Sequence, residues 1–377
     1  MNIKVKWSLI LTAAVCMSAW AAPATADSPD EAEKRPVFDV RELFKSVRIP
    51  KIIVAQDGTL LAFARSCRLI RRSEDRGETW SAAVDVGPDA AGNAMVDDNS
   101  GDVLVVCGRG YLYRSRDHGK TWKKQDIVIK PNAVGQGAPE GVPVGLGASE
   151  SGITLRFGKH KGRLLMPARI QPPKGNNAQE YWPYNYNTAI YSDDGGATWQ
   201  TSGPVQSGTG EGTLAELSDG RIYYNSRCHM AVDHRRRIAW SHDGGQMWTD
   251  WQVSDYLYEV GQPFYFKYGT KPSYGCNAGL VRLPLECTGG KDVLLFSTPD
   301  DPGGSRVRMT VWASFDRDET WPVKRMVYEG PSAYSSLAAG RDGMIYLLFE
   351  RGKEKLYESV AVARFNLAWL TEGVGGQ

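Results

Sequence analysis

The sequence predicts an all-β fold built as a radial array of similar units, a β-propeller. Three observations carry that expectation. An eight-residue pattern, S-x-D-x-G-x-T-W, occurs five times, at Ser73–Trp80, Ser115–Trp122, Ser192–Trp199, Ser241–Trp248 and Ser314–Trp321. Its tryptophans stand 42, 77, 49 and 73 residues apart, spacings that belong to repeat architectures rather than to one sandwich or a doubly wound sheet. Short apolar runs recur between the copies, and helical periodicity is almost absent.

The amino terminus reads as a segment apart from the fold. Lys4 and Lys6 precede an apolar stretch from Trp7 to Ala22, followed by Ala24-Thr25-Ala26. That is the pattern of a secretory signal peptide over residues 1–26. The stretch is short for a membrane span, and Val15 before Cys16 is too large for a lipoprotein box. Residues 27–45 are expected as a short helix or an arm, with Glu31–Lys45 its core. The propeller is expected over 46–370, a single domain despite the length.

Removing Lys4 and Lys6 leaves 43 basic residues against 43 acidic. A balanced charge gives no argument for a nucleic-acid partner, no later segment is long and apolar enough to span a membrane, and the chain is expected to be a monomer. Five cysteines remain, Cys67, Cys107, Cys228, Cys276 and Cys287. An odd count leaves at least one free thiol, one disulfide is open, and no pair has zinc spacing.

Each box follows an apolar run such as Ala189-Ile190-Tyr191 or Ile238-Ala239-Trp240, so it reads as a strand entering a turn. The Asp side chain is expected to accept from backbone N–H groups two residues on. The Gly supplies a positive φ, and Thr and Trp are expected to begin the next strand. In the fifth box Asp318 replaces that Gly, a tolerable but costly exchange. In the fourth, Met247 replaces Thr. Strands are expected at 59–63, 103–106, 164–166, 222–224, 293–296 and 344–349. Asp57-Gly58, Asp219-Gly220 and Asp342-Gly343 are expected as hairpin turns ahead of three of them. Residues 171–187, rich in Pro, Asn and Gly and then aromatic, read as a long loop. The boxes are structural; no acidic cluster has calcium spacing.

The segments between the boxes carry a resemblance. Val47-Arg48-Ile49-Pro50 precedes Asp57-Gly58-Thr59-Leu60-Leu61-Ala62-Phe63. Arg227 lies in Tyr224-Asn225-Ser226-Arg227, and Arg306 stands eight residues before the Ser of the last box. Pro331-Ser332-Ala333-Tyr334-Ser335-Ser336-Leu337, Gly210-Glu211-Gly212-Thr213-Leu214 and Leu347-Leu348-Phe349-Glu350 complete the set. Together with the boxes, these segments resemble the sialidase (exo-α-neuraminidase) superfamily of Asp-box, BNR-repeat proteins, over nearly the whole mature chain.

The resemblance implies a six-bladed β-propeller and a site on its axis. Arg48, Arg227 and Arg306 match a triad that binds the substrate carboxylate, with Arg308 the alternative to Arg306. A planar guanidinium grips a carboxylate through two parallel hydrogen bonds, so three would hold it rigidly. Tyr334 matches the nucleophile and Glu211 the base that takes its proton, with Glu216 as competitor. A phenol titrates near ~10, so it needs a base. A carboxylate nucleophile would repel the substrate's own carboxylate, which is why sialidases depart from the two-carboxylate rule. Glu350 matches the acid that orients Arg48. The partner implied is a sialylated or other acidic-sugar glycan; no cofactor and no metal is implied.

One part of the family's pattern is missing. The loop expected to carry an additional arginine and the general-acid aspartate is here Arg65-Ser66-Cys67-Arg68, between Ala62-Phe63-Ala64 and Leu69-Ile70-Arg71-Arg72. Arg65 or Arg68 supplies the arginine; nothing there supplies the acid. A general acid is worth roughly 10²–10⁴-fold. Glu140, Glu180, His229 and Asp233 stand in loop-like segments as replacements. Tyr181-Trp182-Pro183-Tyr184-Asn185-Tyr186-Asn187 is either a sugar platform or a cover for a blade edge. The expected function is removal of a terminal sialic acid or related acidic 2-keto sugar, with retention. The alternatives are a non-hydrolytic acidic-sugar-binding propeller, or an enzyme that hydrolyses or eliminates a different acidic sugar.

Overall fold

A computed structural model describes residues 1, 35–132, 144–146, 149–170, 186–229, 233–261 and 274–373. The signal-peptide segment, Glu140, Glu180 and positions 181–185 of the aromatic loop lie outside them.

Among the described residues, the strands pair into five sheets around a ring, the seven-stranded one serving as two blades. Blade I comprises Lys51–Val54, Leu60–Ala64, Leu69–Ser73 and Val84–Asp85. Blade II comprises Asn93–Val96, Val103–Cys107, Tyr111–Ser115 and Lys123–Asp126. In blade III, Val144–Gly145 and Ile153–Thr154 both pair with Leu164–Ile170, followed by Tyr186–Ser192 and Thr198–Thr201. Blade IV comprises Thr209–Glu216, Ile222–Cys228, Arg235–Ser241 and Thr249–Tyr258.

The last two blades share one strand, Val323–Ala339. Its first half is the outer strand of blade V, beyond Gly279–Arg282, Leu294–Pro299 and Val307–Ser314. Its second half is the inner strand of blade VI, followed by Ile345–Arg351 and Ser359–Phe365. Phe38–Lys45 pairs antiparallel with Ser359–Phe365 and closes the ring. The described part of the expected amino-terminal helix or arm is therefore a strand of the propeller itself. Tyr186 and Asn187, expected in a loop, begin a strand.

Apolar residues fill the gaps between neighbouring blades. Ile53, Leu61 and Phe63 of blade I pack with Val103, Val105 and Tyr111 of blade II. Leu43, Phe44, Leu60 and Ala62 join Leu348 and Val360 across the closure. Such strands are buried on both faces, which explains why their sequences read as continuous apolar runs rather than as alternation.

The boxes share one geometry. The Ser hydroxyl donates to the Asp carboxylate and accepts from the N–H four residues on, as in Ser192 with Asp194 (2.8 Å) and Gly196 (2.9 Å). The Asp accepts from the backbone four residues on, Thr79, Thr121, Thr198, Met247 and Thr320, not two as expected. Asp318 takes the glycine's place at φ 82° and keeps the bond to Ser314. Only Thr198 and Trp199 lie in a strand; the other tryptophans stop short of the next one. In the three Asp-Gly turns the glycine alone has positive φ, so these are longer loops than the two-residue hairpin.

Candidate active site

Blades IV, V, VI and I bring the expected residues together from positions far apart in sequence. Glu211 stands on the inner strand of blade IV and Arg227 at the end of the next strand. Tyr334 stands on the inner half of the long shared strand, and Glu350 on its neighbour. The Tyr334 hydroxyl donates to Glu211 Oε1 at 2.5 Å. Arg227 Nη1 donates to Glu211 Oε2 at 2.5 Å and to the Tyr334 hydroxyl at 3.1 Å. All three side chains are buried.

Glu350 accepts from Arg48 Nε at 3.1 Å and Nη2 at 3.3 Å. It also accepts the backbone N–H groups of Ile49 (2.9 Å) and Tyr334 (3.2 Å), tying blade I to blade VI at the site. Ile49 has φ 63°, a rare value for a β-branched residue, stabilised here by that bond to a buried carboxylate. The Arg48 guanidinium lies 5.2 Å from the Tyr334 ring centre and that of Arg306 5.8 Å. Arg306 Nη2 donates to Gly275 O at 2.8 Å. Arg308 turns away at φ 59° to pair with Asp301, and Glu216 faces away, accepting from Arg156 N and Phe157 N.

Burial resists ionisation of Glu211, but the opposing pull, led by the Arg227 charge, outweighs it and holds the carboxyl well below the usual range. Burial, then the Glu211 charge, pushes the Tyr334 phenol well above its ordinary value. His229 is buried beside them, its ring occupying the space a Gly210 side chain would take: a Cβ there would lie 2.0 Å from Nε2. Burial and then the Arg227 charge depress its pKa strongly, leaving a neutral imidazole. Asp233 is engaged by Arg237 at 2.9 Å.

The short turn after blade I's second strand is unusual. Arg65, Ser66 and Cys67 all have positive φ, 53°, 53° and 68°. Each left-handed residue costs roughly 1–2 kcal/mol. Backbone bonds from Arg65 N to Arg48 O (2.7 Å) and from Gly92 N to Ser66 O (2.9 Å) fasten the turn beside Arg48. The Arg65 side chain is exposed; that of Arg68 approaches Asp85 at 3.6 Å.

Several residues here were not anticipated. Tyr357 accepts from Arg306 Nη1 at 2.9 Å and lies under Arg48, 3.8 Å from its guanidinium. Arg169 adds positive charge at Glu211 and His229. Glu259 and Arg236 form a buried pair behind Arg227. None stands in a periodic or motif-like context. A cavity of about 510 Å³ lies between Asp57, Asp98, Arg156, Arg282 and Asp342. Among the described residues no group of three or more His, Cys, Asp and Glu is placed to hold a metal.

The β-propeller that carries this cluster of arginines, a tyrosine and a glutamate has a sialidase-type fold. Residues 107–347 match the BNR repeat-like domain family. The chain belongs to this family and to the sialidase superfamily. The Micromonospora viridifaciens sialidase is 30% identical over 96% of this chain, which spans 58% of that protein's length. The Clostridium perfringens sialidase is 26% identical over 70% of the chain and 73% of its own length. Among solved structures, a Hadza microbial sialidase superposes with a TM-score of 0.64 at 22% identity, covering 86% of this chain and 66% of its own. The intramolecular trans-sialidase of Ruminococcus gnavus gives 0.63 at 15% identity, over 86% and 95%. No helix among the described residues is long and apolar enough to cross a membrane.

Proposed function

We propose that this chain is an exo-acting, retaining glycoside hydrolase for a terminal sialic acid or related acidic 2-keto sugar. The observation that carries the reading is the closed triangle of Tyr334, Glu211 and Arg227, with Arg48 and Arg306 facing the same phenol ring. Arg48, Arg227 and Arg306 bind the sugar carboxylate. The Tyr334 oxygen attacks the anomeric carbon while its proton passes to Glu211, and the aglycone oxygen leaves with the bonding pair and takes a proton from solvent. Water then attacks the anomeric carbon from the face the aglycone left, releasing a proton to solvent, while the carbon–tyrosine bond breaks and Glu211 returns the proton to Tyr334. Two displacements give retention.

The free site resists the first proton transfer, because Glu211 is a weak base beside Arg227 and Tyr334 a weak acid. A substrate carboxylate on the arginines offsets their charge and raises the basicity of Glu211, so binding itself readies the nucleophile. Export is part of the reading and rests on the Lys4-to-Ala26 pattern.

A second reading, binding without hydrolysis of natural glycans, is favoured by one observation. The Arg65–Arg68 turn contains no carboxylate, and the two carboxylates that contact Tyr334 are both engaged by arginines. Turnover of an aryl sialoside beside sialyl-lactose separates the readings. Hydrolysis of both supports a full glycosidase. Hydrolysis of the aryl substrate alone means the proton donor is lacking, and intact binding with no release from either means a lectin-like propeller. No binding of any such acid sinks the substrate assignment.

A further inference from the structure

Behind the arginines lies a buried ion pair that touches no substrate-facing surface. Glu259 and Arg236 are 0% and 1% exposed at the side chain and meet at 2.9 Å. Blade IV sends Arg236 inward from its third strand, while Glu259 follows the end of its fourth. Arg236 is held further by Asn225 Oδ1 at 2.7 Å and by Cys276 O at 2.9 Å.

The Glu259 carboxylate faces two backbone segments at once. Oε1 accepts from Cys228 N at 3.1 Å, the residue after Arg227. Oε2 accepts from Cys276 N at 3.2 Å. The segment ending at Cys276 in turn takes both arginines on its carbonyls: Arg227 Nε on Tyr274 O at 2.8 Å and Arg306 Nη2 on Gly275 O at 2.8 Å. One carboxylate therefore fixes the strand that carries Arg227 and the strip of backbone on which Arg227 and Arg306 both rest.

Gly275 is required twice over in this arrangement. Its φ is +76°, and a Cβ would lie 2.3 Å from Glu259 Oε2. The backbone passes so close to the carboxylate that no side chain fits between them. A buried pair of this kind is a poor source of stability, since desolvation offsets the attraction. Its retention is better explained by what it holds in place.

We propose that Glu259, through Arg236 and the Tyr274–Cys276 backbone, is a positioning residue that sets the spacing of Arg227 and Arg306 and so the site's selectivity for a carboxylate. The inference rests on the carboxylate-binding reading above. A guanidinium fork binds a carboxylate only within a narrow geometry, so a small shift of that backbone costs recognition of the acid while leaving sugar contacts elsewhere intact. In Glu259→Gln the amide offers one acceptor and one donor, so one of the two N–H groups loses its partner while the volume stays the same.

The test measures dissociation constants by calorimetry on the full chain for 2-deoxy-2,3-didehydro-N-acetylneuraminic acid and for its methyl ester. The wild type is expected to prefer the acid strongly. Glu259→Gln should weaken the acid by roughly tenfold, the value of one hydrogen bond to a charged group, and leave the ester within about a factor of two. Gly275→Ala, which drives a methyl group into the same carboxylate, should act in the same direction and serves if Glu259→Gln does not fold. A merely structural role would weaken acid and ester alike, and that result, or an unchanged acid-to-ester ratio in a folded variant, overturns the inference. A wild type that fails to distinguish acid from ester overturns the carboxylate reading instead, and is recognised before any variant is made.

Discussion

Tyr334 and Glu211 share one proton in a buried setting that pushes their affinities for it apart. Glu211 is ionised and Tyr334 is neutral, and Arg227 touches both. With Glu211 as the proposed base, its replacement by Gln removes the proton's destination, and kcat on an aryl sialoside should fall roughly 10²–10⁴-fold. A pH profile adds an independent check. The Glu211 carboxyl is held well below the usual range, so the acid limb of kcat/KM that it sets should lie below the free-carboxyl value of ~4.3. The stability consequence has the same sign. A carboxyl whose folded pKa is depressed stabilises above its unfolded value and loses that contribution as pH falls through the folded one. Arg227→Ala leaves Glu211 buried and uncompensated, and should lower the unfolding free energy by ~3–5 kcal/mol in urea titrations at neutral pH.

The eight-residue box is the element that the sequence makes most legible, and its fifth copy shows why it tolerates exchange. In the first and third boxes the Trp indole donates to the carbonyl of the positive-φ glycine, as Trp80 to Gly77 at 3.1 Å and Trp199 to Gly196 at 3.0 Å. In the fifth, Trp321 donates to the Asp318 side chain at 2.7 Å instead. Burial raises the Asp318 carboxyl to about 7, from 3.8. A carboxyl raised on folding costs stability as pH climbs from the unfolded value toward the folded one. The side chain is partly exposed, so solvent screening trims the cost to about 1–2 kcal/mol. Asp318→Asn keeps the acceptor and the left-handed tolerance. It should raise the thermal midpoint at pH 8 and leave it nearly unchanged at pH 4. Strand cores such as 103–106 and 345–349 were as legible as the boxes, because residues buried on both faces leave unbroken apolar runs. That Arg48, Arg227, Arg306, Tyr334, Glu211 and Glu350 come together was legible through their motifs. Tyr357, Arg169 and Glu259 were not, because each acts through partners on other strands or segments, 17 residues away for Cys276 with Glu259 and 51 for Arg306 with Tyr357, and local sequence holds no trace of that. The Phe38–Lys45 strand was missed for the same reason: its partner is Ser359–Phe365.

At the scale of the whole ring, two features join parts that the chain keeps apart. On the axis, Glu150 is buried beside Ser336 of blade VI, which donates to it at 2.6 Å, and burial raises its carboxyl to about 7 from 4.5. Between those values the folded chain holds a proton that the unfolded chain releases, so stability falls as pH rises. The loss through Glu150 amounts to about 3 kcal/mol by pH 7. Glu150→Gln should flatten that part of the stability–pH curve, as read by urea denaturation at pH 4.5 and 7.5. On the rim, the closure depends on the amino-terminal strand. Leu43 and Phe44 are buried between blades VI and I, among Ile52, Ala62, Leu348 and Val360. Without them the outer side of Ser359–Phe365 becomes an open edge, and the last blade meets the first only through inner contacts such as Glu350 with Arg48 and Ile52 N with Ser336. Phe44→Ala should cost ~3–5 kcal/mol, a large share of the ~5–15 kcal/mol that holds a typical domain. Phe38, on the same strand, is 41% exposed and only stacks on Trp369 at 4.3 Å. Phe38→Ala should therefore cost well under half as much. Equal losses in the two variants would mean that the strand is held by its backbone bonds alone and that the inter-blade packing of Phe44 does not secure the ring.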